Sequence, residues 1–191
     1  MRILITGGNG FIGKSLIPKL IQFGNEITII DPVSRKDHHN SVSQISVDFR
    51  DSEKMKKILS NTDVVIHLAA LLGVDVCEKA ATETLKANGI DACRFFDLCK
   101  KNNVKHIIYT SSSEIYGDTD EATENSHSNP KSDYAVAKLY SERYLNSIST
   151  NNFTSHILRL FSVYGRNQRN DFVISKFMKL AKESQPITIF G

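Results

Sequence analysis

At 191 residues with 40% apolar content, the chain can bury a hydrophobic core of ordinary globular composition. The net charge of +3, with acids and bases interleaved, excludes the concentrated basic face of a nucleic-acid binder, and no apolar run is long enough to span a bilayer. The three cysteines (Cys77, Cys93, Cys99) form no CxxC pair and no metal-spaced cluster, so the expectation is a soluble cytoplasmic protein without a metal or a targeting peptide.

In chain order, Arg2–Thr6 is a short β-rich run ended by Gly7-Gly8-Asn9-Gly10. Apolar residues at Ile12, Leu16, Ile17, Leu20 and Ile21 then predict a helix from Phe11 to Phe23, stopped by Gly24-Asn25. A second buried strand follows at 26–31, then a weak strand at 44–48, a helix at 52–59 and a strong strand at 63–67. The pattern continues with a long helix at 76–101 and a strand at 106–109. A polar loop (119–131), a helix at 133–147 and a strand at 155–160 complete it. Alternating helices and fully apolar strands predict an α/β fold: a Rossmann-type, doubly wound parallel sheet covered on both faces.

The loop Thr6-Gly7-Gly8-Asn9-Gly10-Phe11-Ile12-Gly13 joins the first strand to the first helix. Glycines at 7, 10 and 13 allow a tight turn, close approach of backbone to a pyrophosphate, and close helix–strand packing. The N–H groups and dipole of the new helix favour phosphate there. A bare glycine turn would use the same residues, but this one follows a strand, opens a helix and precedes an acidic residue, Asp31, by about 18 residues, the context of a dinucleotide site. Asp31 suits the ribose hydroxyls of NAD and repels the 2′-phosphate of NADP. Arg35 and Lys36 would suit that phosphate, or stand as solvated loop residues, and NAD is the expected cofactor.

Tyr134 and Lys138 are spaced i, i+4 on one face of a helix. A tyrosine, with a reference pKa of about 10, is a poor base at neutral pH. A lysine ammonium one turn away stabilises the phenolate, so the pair is fit to take a proton from a sugar hydroxyl. The triplet Ser111-Ser112-Ser113 follows the 106–109 strand, at the carboxyl edge of the sheet where ligands bind, and offers a hydroxyl to the reacting oxygen.

With these pieces assembled, the chain resembles the NAD-dependent epimerase/dehydratase family of extended short-chain dehydrogenases. The matching stretches are TGGNGFIG (6–13), Asp31, Asp48-Phe49-Arg50-Asp51, His67-Leu68-Ala69-Ala70, Asn88, SSSEIYG (111–117), YAVAK (134–138) and LRLFSVYG (158–165), in family order and spacing. The resemblance implies that Phe11 and Ile12 offer N–H groups to the pyrophosphate, and that Asp48 and Phe49 flank the adenine, the carboxylate suiting its exocyclic amine. Leu68, Ala69 and Leu71 would line the cofactor's path, Asn88 would hold the active-site helix and lysine, and Phe161 would approach the nicotinamide. Ser112 aligns with the family's catalytic Ser/Thr, beside Tyr134 and Lys138. A nucleotide-diphospho-sugar is the implied substrate and a homodimer the implied assembly, through the long helix and the YxxxK helix, with Leu139, Arg143 and Leu145 on the candidate face.

The chain departs from the family pattern at Ser162, where asparagine is usual near the substrate diphosphate, and at Arg166-Asn167, where proline is usual. Arg166 and Arg169 would serve a diphosphate or lie solvated on the surface. The family usually continues past Ile187–Gly191 into a smaller domain. Residues 1–165 are therefore expected to form the NAD-binding domain and 166–191 the beginning of a truncated substrate-binding domain.

The implied first step is proton removal by Tyr134 at sugar position 4 with loss of hydride to NAD, leaving a 4-keto sugar. Epimerases return the hydride after the sugar turns; 4,6-dehydratases add an acid and a base. Glu114 would be that base, or a cap on the following turn, and epimerase is the favoured reading over dehydratase or decarboxylase, with an NAD-binding module without turnover as a further alternative. His67, at a strand end, reads as a satisfied core imidazole, and Cys93 and Cys99 as small buried hydrophobes.

Overall fold

The computed structural model describes residues 1–34, 42–72, 80–166, 168–170 and 172–189. Arg35, Lys36, His38, His39, Cys77, Asn167 and the first residues of the expected long helix lie outside the described residues. Six strands, β1 (Arg2–Thr6), β2 (Glu26–Ile30), β3 (Val42–Ile45), β4 (Val64–His67), β5 (His106–Ser112) and β6 (Thr154–Leu160), form one parallel sheet in the order β3-β2-β1-β4-β5-β6. The order reverses at the β1–β4 boundary, and ligands of open α/β sheets bind at the carboxyl ends of strands flanking such a point.

The helices are α1 (Phe11–Gln22), α2 (Ser52–Leu59), α3 (Ala81–Leu85), α4 (Ala92–Lys101), α5 (Asp133–Ile148) and α6 (Val173–Lys182). Local chemistry sets several of their ends. Gly24, at φ +71°, closes α1 with its N–H on the Ile21 carbonyl, a conformation glycine adopts without Cβ strain. Asp51 caps α2 by accepting from the Lys54 N–H, and Ser132 caps α5 by accepting from Ala135 N–H.

Alternate side chains of each strand enter two cores. On one face Leu4, Ile30, Val65, Ile107 and Tyr109 meet Met55, Leu59, Phe95, Phe96, Cys99 and Leu145 from α2, α4 and α5. On the other, Ile3, Ile5, Ile27, Ile29, Val64 and Ile66 meet Ile17 of α1. By compactness the chain divides into Met1–Phe161 and Ser162–Gly191. The second unit contains α6, an element beyond those read from the sequence.

Two differences from the sequence expectation have physical causes. The long helix is not uniformly α: Lys86–Asp91, between α3 and α4, is a π-helical segment. There the Ser141 hydroxyl of α5 donates to the Asn88 carbonyl at 2.8 Å and lies 3.4 Å from that of Gly89, drawing on acceptors an α-helix would use internally. β5 also runs on to Ser112, because the polar residues Thr110–Ser112 keep pairing with Leu158–Leu160.

Candidate functional site

The glycine loop crosses from β1 to α1 under tight constraint. Gly7 has φ +67°, and a Cβ there would stand 2.8 Å from the Ala69 backbone. A Cβ on Gly13 would stand 2.1 Å from the Gly8 carbonyl oxygen, so the first turn of α1 is pressed against the loop. Gly10 is the N-cap of α1 and supplies no side-chain acceptor, which leaves the first-turn N–H groups around Phe11, Ile12 and Gly13 without a side-chain cap. Bare N–H groups at a helix N-terminus, reached over side-chain-free backbone, fit a pyrophosphate. Asp31 directs its carboxylate back to this loop, accepting from the N–H of Asn9 at 3.3 Å and of Val33 at 3.0 Å. The Asn9 amide in turn donates to the Val33 carbonyl.

On the neighbouring wall, Asp48 is closed upon by Arg50 through the Arg50 N–H (2.9 Å), Nε (2.9 Å) and Nη2 (2.7 Å), contacts that hold its carboxyl below the usual range. A purine amine would share that carboxylate with Arg50. The Phe49 ring packs edge-on to His67 at 5.0 Å and near Phe95 at 5.6 Å, as part of the core. Leu68 and Ala69 leave β4 beside the glycine loop, their N–H groups bonded to the Thr6 carbonyl and hydroxyl. Asn88, buried in the π-helical segment, grips Leu71 from both sides: its Oδ1 accepts from Leu71 N–H at 2.8 Å and its Nδ2 donates to the Leu71 carbonyl at 2.9 Å. One side chain thus fixes the loop after β4, while its own carbonyl anchors Ser141 of α5.

The opposite wall is built from β5 and α5. Lys138 is only 2% exposed; its ammonium donates to the Thr110 carbonyl at 2.8 Å and lies 4.7 Å from the Tyr109 ring centre and 5.6 Å from that of Tyr134. Burial disfavours its charge and draws its pKa down to about 7, with Glu142 acting in the opposite sense. His67 is buried with Nδ1 at 2.8 Å from the Thr6 hydroxyl; burial, then the Lys138 charge, hold its pKa down to about 3, so it is a neutral core imidazole as the sequence suggested. Ser112, nearly buried at the end of β5, accepts from the Glu114 N–H at 3.2 Å and opens the 3₁₀ turn Ser113–Tyr116. The exposed Glu114 accepts from the Ser132 hydroxyl at 3.0 Å, and so meets the capping residue of the helix that carries Tyr134.

Two residues of this wall escaped the sequence reading. Arg159 of β6 donates to both carboxylate oxygens of Glu142 (Nε at 3.2 Å to each, Nη2 at 2.9 Å to Oε2), to the Tyr116 hydroxyl at 2.9 Å and to the Glu124 carbonyl at 3.0 Å. Glu142 is 2% exposed. The available signal was its i+4 spacing from Lys138, which places both on one helix face. A cavity of about 500 Å³ opens beside this pair, lined in part by Tyr116, Glu124, Asn146 and Phe161. Phe161 is exposed and stacks on Tyr116 with 6.4 Å between ring centres. Ser162 and Arg166 belong to the second unit and are exposed.

The expected dimer face needs correction at Leu145. It is fully buried against Phe153 and the α4 residues, because its position on α5 faces the sheet. The apolar residues that α5 and the π-helical segment do expose are Val136, Tyr140 and Ile90. Cys93 and Cys99 are buried, and burial pushes the Cys93 thiol up to about 11, away from reactivity. No helix among the described residues is long and apolar enough to cross a membrane.

Known proteins share this arrangement. The chain is 28% identical to a UDP-N-acetyl-alpha-D-glucosaminuronate decarboxylase of Bacillus cytotoxicus, a match covering all of this chain and 64% of that protein. Its fold superposes on the UDP-N-acetylglucosamine 4-epimerase of Methanobrevibacter ruminantium with a TM-score of 0.91 at 32% identity, over all of this chain and 65% of the other. A UDP-glucose 4-epimerase of Thermus thermophilus, solved as a complex with NAD, gives a TM-score of 0.91 at 28% identity, over 98% of this chain and 64% of that one. The chain therefore spans slightly less than two thirds of the length of these relatives. The family model matches residues 3–191, across the glycine loop, Asp31, Ser112, Tyr134 and Lys138: the chain belongs to the NAD dependent epimerase/dehydratase family.

Proposed function

We propose that the protein serves an NAD-dependent nucleotide-sugar epimerase acting through a transient 4-keto sugar. The observation that carries this reading is the pairing of Tyr134 with Lys138, a buried lysine whose ammonium is held 5.6 Å from the Tyr134 ring by the Thr110 carbonyl. When bound, NAD would supply the reversible hydride acceptor; the Thermus relative is a complex with NAD, which supports the choice of cofactor. The glycine loop (Gly7, Gly10, Phe11, Ile12, Gly13) would hold its pyrophosphate and Asp31 its ribose. Asp48, Phe49, Leu68, Ala69, Leu71 and Phe161 would border the rest.

In this reading Tyr134 takes the proton of the sugar hydroxyl at position 4. Ser112 hydrogen-bonds the same oxygen, and Lys138 favours the phenolate by its charge. Asn88 acts through Leu71 and Ser141 as a positioning residue. Residues 1–165 would form the cofactor domain, and the segment from 166, with Ser162 and Arg166 toward the diphosphate, would open the substrate-binding part. A homodimer through Ile90, Val136 and Tyr140 belongs to the same proposal.

Glu114 decides between the epimerase and its relatives that eliminate water or carbon dioxide. Its carboxylate bonds to Ser132, the cap of α5, which favours a structural use and hence the epimerase. The decarboxylase relative keeps the second reading in play. Incubation with UDP-, GDP-, CDP- and dTDP-hexoses and the corresponding hexuronic acids, followed by proton NMR in deuterated water, tests both. An inverted stereocentre without loss of water or carbon dioxide is the expected outcome. A 4-keto-6-deoxy or decarboxylated product would replace the epimerase by the Glu114-dependent reaction, and NAD binding without any product would leave a binding module.

A further inference from the structure

The Arg159–Glu142 contact is the most heavily bonded ion pair among the described residues, with Glu142 buried and Arg159 partly so, and the reaction outlined above does not use it. It joins four pieces of chain. Arg159 lies on β6, two residues before Phe161; Glu142 lies on α5, one turn from Lys138. Tyr116 ends the turn that Ser112 opens, and Glu124 sits in the polar loop. The guanidinium also lies 5.0 Å from the Tyr116 ring centre. A fork of this kind needs arginine: lysine, a single point donor, cannot satisfy two carboxylate oxygens, a phenol and a carbonyl together.

Stability alone is a weak reason for such a pair. Two charges taken out of water lose hydration that their attraction only partly repays, and apolar replacements of a whole buried pair are often neutral or stabilising. What the apolar replacement would not reproduce is the negative charge one helical turn from Lys138. Around that ammonium stand Tyr109 and the Thr110 carbonyl on β5, His67 on β4, and Tyr134 on its own helix. Among the charged groups the one that favours the ammonium is Glu142.

We propose that Arg159 and Glu142 are a positioning pair for the catalytic residues. Arg159 locks the Ser112–Tyr116 turn to the Tyr134–Lys138 helix, and Glu142, held in place by Arg159, stands one helical turn from the Lys138 ammonium as its counter-charge. The inference rests on the catalytic reading of Tyr134 and Lys138 for its consequence, but its structural content stands apart from turnover.

The test follows the titration of Lys138 by NMR of the 191-residue chain carrying ¹³C-lysine, its signal identified by its loss in K138R, together with turnover of the sugar found above. E142Q is expected to lower the Lys138 titration midpoint by about one unit and kcat by about ten-fold, with KM changed far less. R159K keeps the charge near Glu142 and loses the bond to Tyr116. It should leave the Lys138 midpoint in place while lowering kcat. The double variant E142Q/R159M, which removes both charges of the pair and leaves no unpaired arginine, should recover part of the thermal stability but not the midpoint, and it carries the test if E142Q alone fails to fold. An unmoved Lys138 midpoint in E142Q or the double variant, or normal kcat in the double variant, would overturn the proposal. If the wild-type chain turns over no sugar, the epimerase reading fails, and the midpoint shift still decides the pair.

Discussion

The two walls of the candidate site are made of different materials. The β1–α1–β2 wall is backbone: Gly7, Gly10 and Gly13 act by lacking side chains, and the one carboxylate, Asp31, is tied to main-chain N–H groups. The β5–α5–β6 wall is side chain: buried Lys138 and Glu142 and the forked Arg159 reach across elements far apart in sequence. The first wall should therefore fail sterically, when atoms are added. The second should fail electrostatically, when charges are removed or moved.

The largest expected effect sharpens this contrast at its chemical end. Tyr134→Phe removes one oxygen and is predicted to cut turnover by about 10²–10⁴-fold, while NAD affinity, measured by titration calorimetry, stays within a few-fold. Equal loss of both would mean that Tyr134 belongs to the binding wall. Gly13→Ala adds one carbon 2.1 Å from the Gly8 oxygen. It is predicted to cost about 1–3 kcal/mol in a denaturant melt and to abolish NAD binding, and a normal melt with normal affinity would show that the loop yields.

Lys138→Met tests the electrostatic wall through pH. The folded pKa of Lys138, about 7, lies below its ordinary 10.5. The unfolded chain thus binds more protons between those values, and the wild type gains stability as pH rises through that window. The difference in Tm between Lys138→Met and wild type should accordingly grow as pH falls from 10 toward 7, and a constant difference would mean that the buried amine is not charged on unfolding. An effect of comparable size in a more acid window is expected at His67, whose folded pKa of about 3 lies below its ordinary 6.5. Wild-type stability should fall as pH drops through that interval, and His67→Phe should flatten this acid limb of a Tm–pH curve.

Legibility in the sequence follows the same division. Strand, glycine loop, helix, strand and Asp31 are contiguous, so spacing alone placed them, and β1 and α2 coincide with their expected bounds. The Tyr134–Lys138 pair was legible for the same reason, being local to one helix. Arg159–Glu142 was not, because its two members meet only once the β6–α5 register is known. Nor was Glu114's bond to Ser132, which spans a loop of polar residues without periodicity. The π-helical segment is marked in the sequence only by the poor helix formers Asn88 and Gly89, and the Ser141 hydroxyl that bonds its carbonyl lies some fifty residues away.

That segment has a consequence for how the chain tolerates change in length. A π-helical turn holds one more residue than an α-helical turn, and in an α-helix each residue advances about 100° around the axis. Because the wider turn absorbs that extra residue, the helix on either side keeps nearly the phase of an unbroken α-helix. Deleting one residue from Lys86–Asp91 should therefore restore ordinary winding and leave Phe95 and Phe96 in the core, while the Asn88 contacts with Leu71 and Ser141 are the ones disturbed. The extra residue serves a recognition contact and not the folding surface carried on the same rod, so a one-residue gap there should harm the site more than the fold.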